Sequence, residues 1–275
     1  MWKDFRKDLP SHSFLIVAAL IALYPFIYMI MTSFKSNVEF YHNYFGISLP
    51  LHFDNYVVAW QAISPYLLNS ALFAASGVII MALTGSLAGY SFARLRYRGK
   101  PVIFMVVISL LMIPGLLTLI PLFLEMKGLR LLNSRIGMIL AFAAGGQAFT
   151  IFVFRQSIAS LPEELFEAAR IDGYSEVRVY LNIVLPLSKP IIGTVSIFNL
   201  LSIWNNYLLP LVLINSQGKY PLTVGLMAFR GQFVYNAQYG PMFAGYTIAS
   251  LPLLLLFLFT MRLFMRGLTA GSIKM

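Results

Sequence analysis

Six stretches without a charged side chain alternate with polar segments along the chain, at 14–34, 66–93, 101–124, 136–154, 190–215 and 239–261. Each reaches the roughly 17 to 25 residues that a helix needs to cross a bilayer core. The pattern predicts an all-α membrane protein with six transmembrane helices in a single domain over 1–275. Proline marks one place where these helices should bend. Pro114 and Pro121 bracket Gly115 in the third run and predict a kink or unwound segment near its far half. The second run is longer than a bilayer requires, so it should tilt or extend beyond it; its Gly85 and Gly89 form a GxxxG pair that permits close helix approach.

Between the fourth and fifth runs lies a segment of different character, 160–190, reading SLPEELFEAARIDGYSEVRVYLNIVLPLSKP. It holds five of the chain's ten carboxylates: Glu163, Glu164, Glu167, Asp172 and Glu176. Ser160 and Glu163 have the spacing of a capping box, Pro162 suits a first helical turn, and Gly173 suits a left-handed stop. A short amphipathic helix is expected over 161–172, with Leu161, Leu165, Phe166, Ala168 and Ala169 as its apolar stripe. A second helix should follow the glycine turn.

Other polar positions sit within the apolar runs. Asn199, Ser202, Trp204, Asn205, Asn206 and Tyr207 precede Pro210 in the fifth, and Gln147 lies mid-way along the fourth. Adjacent amides in a membrane helix are costly unless paired or wet. They either bond neighbouring helices or meet a neutral polyhydroxy ligand, for which amides supply donors and acceptors and aromatic rings cover C–H faces. Gln147 has the same two readings. The 35–65 segment carries Phe40, Tyr41, Tyr44, Phe45, Phe53, Tyr56 and Trp60, as a packed cap or an interfacial belt. His42 and His52 there read as solvated loop histidines. Segment 216–239, with Tyr220, Pro221, Phe229, Phe233 and Tyr235, reads as a projecting finger.

Composition agrees with a membrane protein: 59% of residues are hydrophobic and only 11% charged, against about a quarter charged in soluble domains. The net charge of +10 follows topology and gives no reason to expect nucleic acid. With the N-terminus inside, fourteen cations fall on inner segments, including the run Arg94, Arg96, Arg98, Lys100, which reads as an anchor against anionic lipid. Six fall outside, among them Lys127, Arg130 and Arg135 in one loop. The majority places both termini in the cytoplasm. The basic head before the first run is followed by an apolar stretch about twice the length of a signal-peptide core, so an uncleaved span is expected.

Several chemistries are disfavoured. No run contains Asp, Glu, Lys, Arg or His, which weakens an ion-coupled carrier. No GxxxxGK[ST] or HExxH is present, and there is no cysteine. No catalytic residues, metal ligands or cofactor of the chain's own are expected; energy for active transport would come from another subunit. Residues alone leave open a permease, a non-transporting scaffold or a passive channel.

Glu167, Ala168, Ala169, Arg170, Ile171, Asp172 and Gly173, followed by Ile183, Val184, Leu185 and Pro186, resemble the EAA loop of permeases in binding-protein-dependent ABC importers. The ending Arg266, Gly267, Leu268, Thr269, Ala270, Gly271 is similar to that of the maltose-type carbohydrate subgroup, so the resemblance covers essentially the whole chain. Tyr174, Ser272 and Ile273 depart from its pattern.

The resemblance implies a type I importer permease in the bacterial cytoplasmic membrane, forming half of a pathway for a sugar or oligosaccharide. A permease for a glycerophosphodiester or polyol would use the same loop. The partners implied are a second permease, an ABC ATPase dimer that holds ATP and magnesium, an external solute-binding protein and membrane lipid. The first helix of the loop would couple to the ATPase through Glu163, Glu164, Leu165, Phe166, Glu167, Ala168, Ala169, Asp172 and Gly173. Leu165, Phe166 and Ala169 would fill the ATPase cleft, and the three glutamates would meet its rim. Thr269, Ala270, Gly271 and Lys274, in a tail without helix signals, would reach between the ATPase subunits. The 216–239 segment would enter the binding protein.

Overall fold

The computed structural model describes the backbone of residues 2–272 and the side chains of 11–258 and 260. All secondary structure among the described residues is helical. The chain divides into two compact units, one of residues 1–65 with 226–275 and one of residues 66–225.

In the first unit, α1 (Trp2–Ser33) packs along α13 (Tyr239–Ser272). A short α2 (Asn37–His42) lies against the start of α13, where Phe40 stacks on Tyr239 at 4.3 Å and Tyr28 meets Phe243 edge-on. A complete capping box, Ser36 with Glu39, fixes the entry of α2. The buried Lys35 gives its ammonium to the carbonyls of Asn43 (2.5 Å) and Tyr44 (3.2 Å). These contacts make a packed cap around Phe40, while Phe45, Phe53 and Trp60 stay exposed. His52 is more than a solvated loop histidine: its Nε2 lies 3.2 Å from Glu39.

The finger expected over 216–239 is instead a turn followed by α12 (Leu222–Tyr235). Phe229 and Phe233 are buried, Phe229 beneath Gly245 and Tyr246, because aromatic side chains at helical spacing have an apolar wall to pack on. Tyr235 alone of the named aromatics projects fully. The tail also differs from expectation. With no proline or capping glycine motif to stop it, α13 continues through Thr269, Ala270 and Gly271 to Ser272; Lys274 lies outside the described residues.

In the second unit, four segments carry the architecture. The helix α3 (Asp54–Arg94) is 41 residues long, about 60 Å at 1.5 Å per residue, and so exceeds a bilayer core of about 30 Å. Beside it runs α6 (Arg135–Ala159). The GxxxG pair has its partner here: a Cβ on Gly85 would strike Thr150, and one on Gly89 would come within 2.5 Å of Phe154 Cβ.

The third apolar run is interrupted. α4 (Lys100–Ser109) tightens into a 3₁₀ turn, ends at Met112, and resumes as α5 (Leu119–Gly128). Ile113, the residue before Pro114, is extended at ψ 117°, as the proline ring demands of its neighbour. The fifth run is also broken. α10 (Lys189–Trp204) stops, and α11 (Leu208–Leu213) restarts after Asn205–Tyr207. Pro210 cannot donate to the Asn206 carbonyl four residues back. That carbonyl accepts from Thr223 Oγ1 instead, at 2.7 Å.

Four of the six runs therefore form continuous helices long and apolar enough to cross a membrane, within α1, α3, α6 and α13. The other two runs are helices broken at proline-dictated points.

Candidate functional site

The polar segment after α6 folds as two short helices joined at a glycine. α7 (Glu163–Ile171) begins at Pro162, which offers no side-chain cap, so the expected capping box is not made. Ser160 belongs to the end of α6, its Oγ donating to the Ser157 carbonyl. The stop is as the sequence suggests. Gly173 has φ +76°, its N–H reaches the Arg170 carbonyl, and the Tyr174 N–H reaches that of Ala169 at 2.9 Å. These paired bonds make a Schellman motif.

Beyond it, α8 (Glu176–Val179) runs through a π turn at Tyr180–Val184 into α9 (Leu185–Leu187). The π turn lies over the carbonyl of residue 182, which Pro186 cannot serve. The axis then bends by 73° into α10.

The buried stripe of α7 is narrower than expected and faces the chain's own core. Phe166 and Ala169 pack with Tyr90, Phe154, Val179, Tyr180 and Val184. They are 1% and 4% exposed and cannot fill a partner's cleft. This corrects the expected docking set. At 100° per residue the opposite face carries Glu164, Glu167, Ala168 and Ile171, all exposed, with the exposed Leu165 and Asp172 at its edge.

Three polar contacts fasten this segment to one face of α3, at positions 86, 90 and 94, four residues apart. Ser86 Oγ and Tyr180 OH share a hydrogen bond of 2.7 Å. Tyr90 OH donates to Glu176. The Arg94 guanidinium pairs with Glu163, donates to the carbonyls of Ile158 (3.0 Å) and Leu161, and lies 4.1 Å over the Phe166 ring. A cation at the exposed carbonyls of a helix C-terminus is electrostatically favoured. Arg94 is thus no lipid anchor; its side chain is 10% exposed and joins α3, α6 and α7. Charge-run reading misses it because the segment it holds is more than sixty residues away.

A second feature is a cavity of about 980 Å³ lined by both broken helices. Leu110 and residues within 115–125 bound one side, residues within 199–209 another, and Met81 with residues within 141–146 the rest. Irregular backbone at membrane depth is tolerated where it lines a cavity. Asn199, Ser202, Asn205, Asn206 and Tyr207 line it; Trp204 and Gln147 do not. Trp204 is buried in the helix packing, and Gln147 Oε1 accepts from Thr84 at 3.1 Å. The amides are partly committed. Asn199 donates to Thr150 (2.9 Å), Asn205 to the Leu201 carbonyl (2.9 Å), and Asn206 Oδ1 accepts from the Leu209 N–H (3.1 Å). The Asn205 oxygen and the Asn206 NH₂ have no partner among the described residues.

Sequence reading missed Thr118, Glu125 and Gly145 as lining residues; the signal for the first two was the Pro-Gly-Pro bracketing of the third run. Among the described residues no cluster of His, Cys, Asp or Glu is fit to hold a metal.

Residues 81–270 match the family model described as "Binding-protein-dependent transport system inner membrane component". The chain is 35% identical over 273 residues to the diacetylchitobiose uptake system permease protein NgcG of Streptomyces coelicolor, covering 98% of this chain and 90% of that protein. It is 33% identical to the arabinooligosaccharides transport system permease protein AraQ of Halalkalibacterium halodurans, covering 98% and 99%. Its fold is similar to a chain from a crystal structure of a bacterial ABC transporter involved in the import of alginate. The TM-score is 0.82 at 24% identity, with 95% and 98% of the two chains covered.

Proposed function

Because the chain belongs to the family of binding-protein-dependent transport system inner membrane components, we propose that it forms half of the pathway of an ATP-driven carbohydrate importer in the bacterial cytoplasmic membrane. The observation that carries the cargo assignment is the cavity. Amides, hydroxyls, unwound backbone and the Glu125 carboxylate, which can accept from sugar hydroxyls and repels an anionic sugar, face an apolar wall there, which is the chemistry a neutral oligosaccharide asks for. The relatives named for diacetylchitobiose and arabinooligosaccharides support the same class. In this reading the chain crosses the bilayer six times, counting the two broken helices, with both termini cytoplasmic.

The segment over 160–190 is the EAA loop, and α7 is the coupling helix. Its outer face, Glu164, Glu167, Ala168 and Ile171 with Asp172 at its edge, docks on one subunit of an ATPase dimer that holds ATP and magnesium. The inner face, Phe166 and Ala169, with Glu163 at its flank, keeps α7 fixed to its own chain. Closure of the ATPase then moves α7 as a handle. Arg94 and Tyr90 carry the displacement into α3, and the bent backbone carries it into α10, whose end lines the cavity. Such rigid-element motion switches the pathway between outward-open and inward-open states. A second permease completes the pathway and an external binding protein delivers the sugar. Residues 216–239 contact the binding protein and the tail from Thr269 contacts the ATPases.

The test is uptake of a labelled neutral oligosaccharide into proteoliposomes holding the chain with its permease partner, ATPase subunits and binding protein. A Cβ on Gly145 would enter open space, so Gly145→Leu should leave the complex assembled and obstruct the cavity, with uptake reduced at least tenfold. Uptake equal to wild type removes this cavity from the pathway.

A further inference from the structure

Where α4 starts and α6 ends, a groove of about 390 Å³ opens between Phe92, Lys100, Pro101, Phe104, Met105, Ile108 and Arg155. Its floor is aromatic: the rings of Phe92 and Phe104 are 5.3 Å apart, and the Arg155 guanidinium lies 4.9 Å from the Phe104 centroid. Its mouth is cationic and uncompensated. Lys100 donates to the carbonyls of Leu95 (2.9 Å) and Ala93 (3.5 Å), which leaves its third proton free, and Arg155 donates to Gln156 Oε1 at 2.7 Å. The Arg155 Nε is buried without an acceptor, and neither cation has a carboxylate within ion-pair distance among the described residues. Burial holds the Lys100 ammonium below the usual lysine range, and Arg155 and Arg96 push it the same way.

Depth along the bilayer decides the kind of anion. The apolar runs end at Ala93 and Phe154 and begin again at Pro101. Lys100 and Arg155 therefore sit at the level of phospholipid phosphates, and the groove continues from them toward hydrocarbon. Among the described residues nothing covers the wall on that side. No residue of α4 is buried, and Val102 and Met105 are 66% and 71% exposed. A free anion would satisfy the mouth and leave the aromatic floor and this wall unexplained.

The geometry points to a binding site for one anionic phospholipid, its phosphate held between Lys100 and Arg155 and an acyl chain laid along Phe92, Phe104, Met105 and Ile108. Basic pockets between membrane helices are where anionic headgroups are held. The site adjoins the Arg94 clamp: Phe92 is two residues before Arg94 on α3, and Arg155 is one turn before the carbonyls that Arg94 holds on α6. The lipid would brace the end of α6 from which the 160–190 segment departs. This inference goes beyond the transport reading and does not depend on the cargo.

The test uses the full chain in nanodiscs of phosphatidylcholine with a minor share of phosphatidylglycerol, and counts lipids retained after mild release by native mass spectrometry. Wild type should keep one phosphatidylglycerol in preference to phosphatidylcholine. Lys100→Gln and Arg155→Gln should each weaken retention of the groove-bound lipid about fivefold, as expected for losing one cation at the phosphate. Arg155→Lys, which keeps the charge, should retain the lipid, and Arg98→Gln, an exposed cation outside the groove, should change nothing. Equal retention of both lipids, or equal loss in Arg98→Gln, overturns the site. Loss in Arg155→Lys as large as in Arg155→Gln overturns recognition by charge. Displacement of the phosphatidylglycerol by excess inorganic phosphate assigns the groove to free phosphate and overturns the lipid.

Discussion

The guanidinium of Arg94 lies 4.1 Å over the Phe166 ring while its Nη1 is paired with Glu163, so one residue at the end of α3 holds both the buried face and the first turn of α7. The same group donates to the Ile158 carbonyl at the end of α6 and to the Leu161 carbonyl just beyond it. Charged hydrogen bonds of this kind contribute about 1.5–3 kcal/mol. Arg94→Gln should therefore loosen the loop locally without unfolding the helices. Hydrogen exchange of the α7 amides should accelerate roughly ten- to hundredfold. Arg94→Lys should restore only part of the protection, because a point charge lacks the planar fork that spans these partners.

The two faces of α7 should separate cleanly under mutation. Phe166→Ala removes a side chain that is 1% exposed and should cost about 3–5 kcal/mol, read as a fall in thermal stability of the purified chain. Ile171→Asp, at a position 86% exposed, should change that stability by less than about 0.5 kcal/mol while lowering ATPase association. A stability loss at Ile171 comparable with that at Phe166 would mean that the exposed face is engaged within the chain.

Gly173 and Gly89 are needed for different reasons. No atom stands within 4 Å of a Cβ on Gly173, so Gly173→Ala should cost only the left-handed backbone penalty, about 1–2 kcal/mol. Gly173→Asn should cost less, since asparagine visits that region more readily. At Gly89 the obstacle is Phe154 and the backbone at Arg155. Gly89→Ala and Gly89→Asn should both push α3 from α6. Thermal melts of the four variants distinguish backbone strain from helix contact.

In the cap of the first unit, the Ser36 N–H, donating at 2.7 Å, holds the Glu39 carboxyl below the usual carboxylate range against an opposing effect of burial; His52 acts in the same direction as Ser36. A depressed folded-state pKa means that the contribution is fully present above the unfolded value of glutamate and is lost as pH falls through the folded value. The stability difference between wild type and Glu39→Gln should accordingly be constant near neutral pH and shrink on acidification. A difference that grows toward acid would contradict this assignment.

Legibility in the sequence followed the range of the interactions. The helix, glycine stop and second helix over 160–190 rest on contacts within a few residues, and Gly173 is left-handed as its neighbours require. The bends at Ile113 and after Trp204 follow from Pro114 and Pro210, though only the first is expected from sequence; at the second, the carbonyl that Pro210 leaves free is taken by Thr223, seventeen residues on. Ser160 could not cap α7 because the end of α6 had already claimed it. The roles of Arg94 and Tyr90 depend on partners 69 and 86 positions away, a separation to which periodicity and spacing are blind. For the same reason the stripe of α7 was legible as apolar, but not that its own chain buries it.

Transmission of an ATPase cycle to the pathway through the outer face of α7, as proposed above, is read most directly by substrate-stimulated ATP hydrolysis in the reconstituted complex. Wild type should show hydrolysis raised by the loaded binding protein. Glu167→Lys, which reverses a charge on the exposed face, and Gly173→Pro, which breaks the turn behind it, should abolish that stimulation and uptake while the chain remains in the membrane. Full stimulation and uptake in both variants would contradict the coupling role of α7.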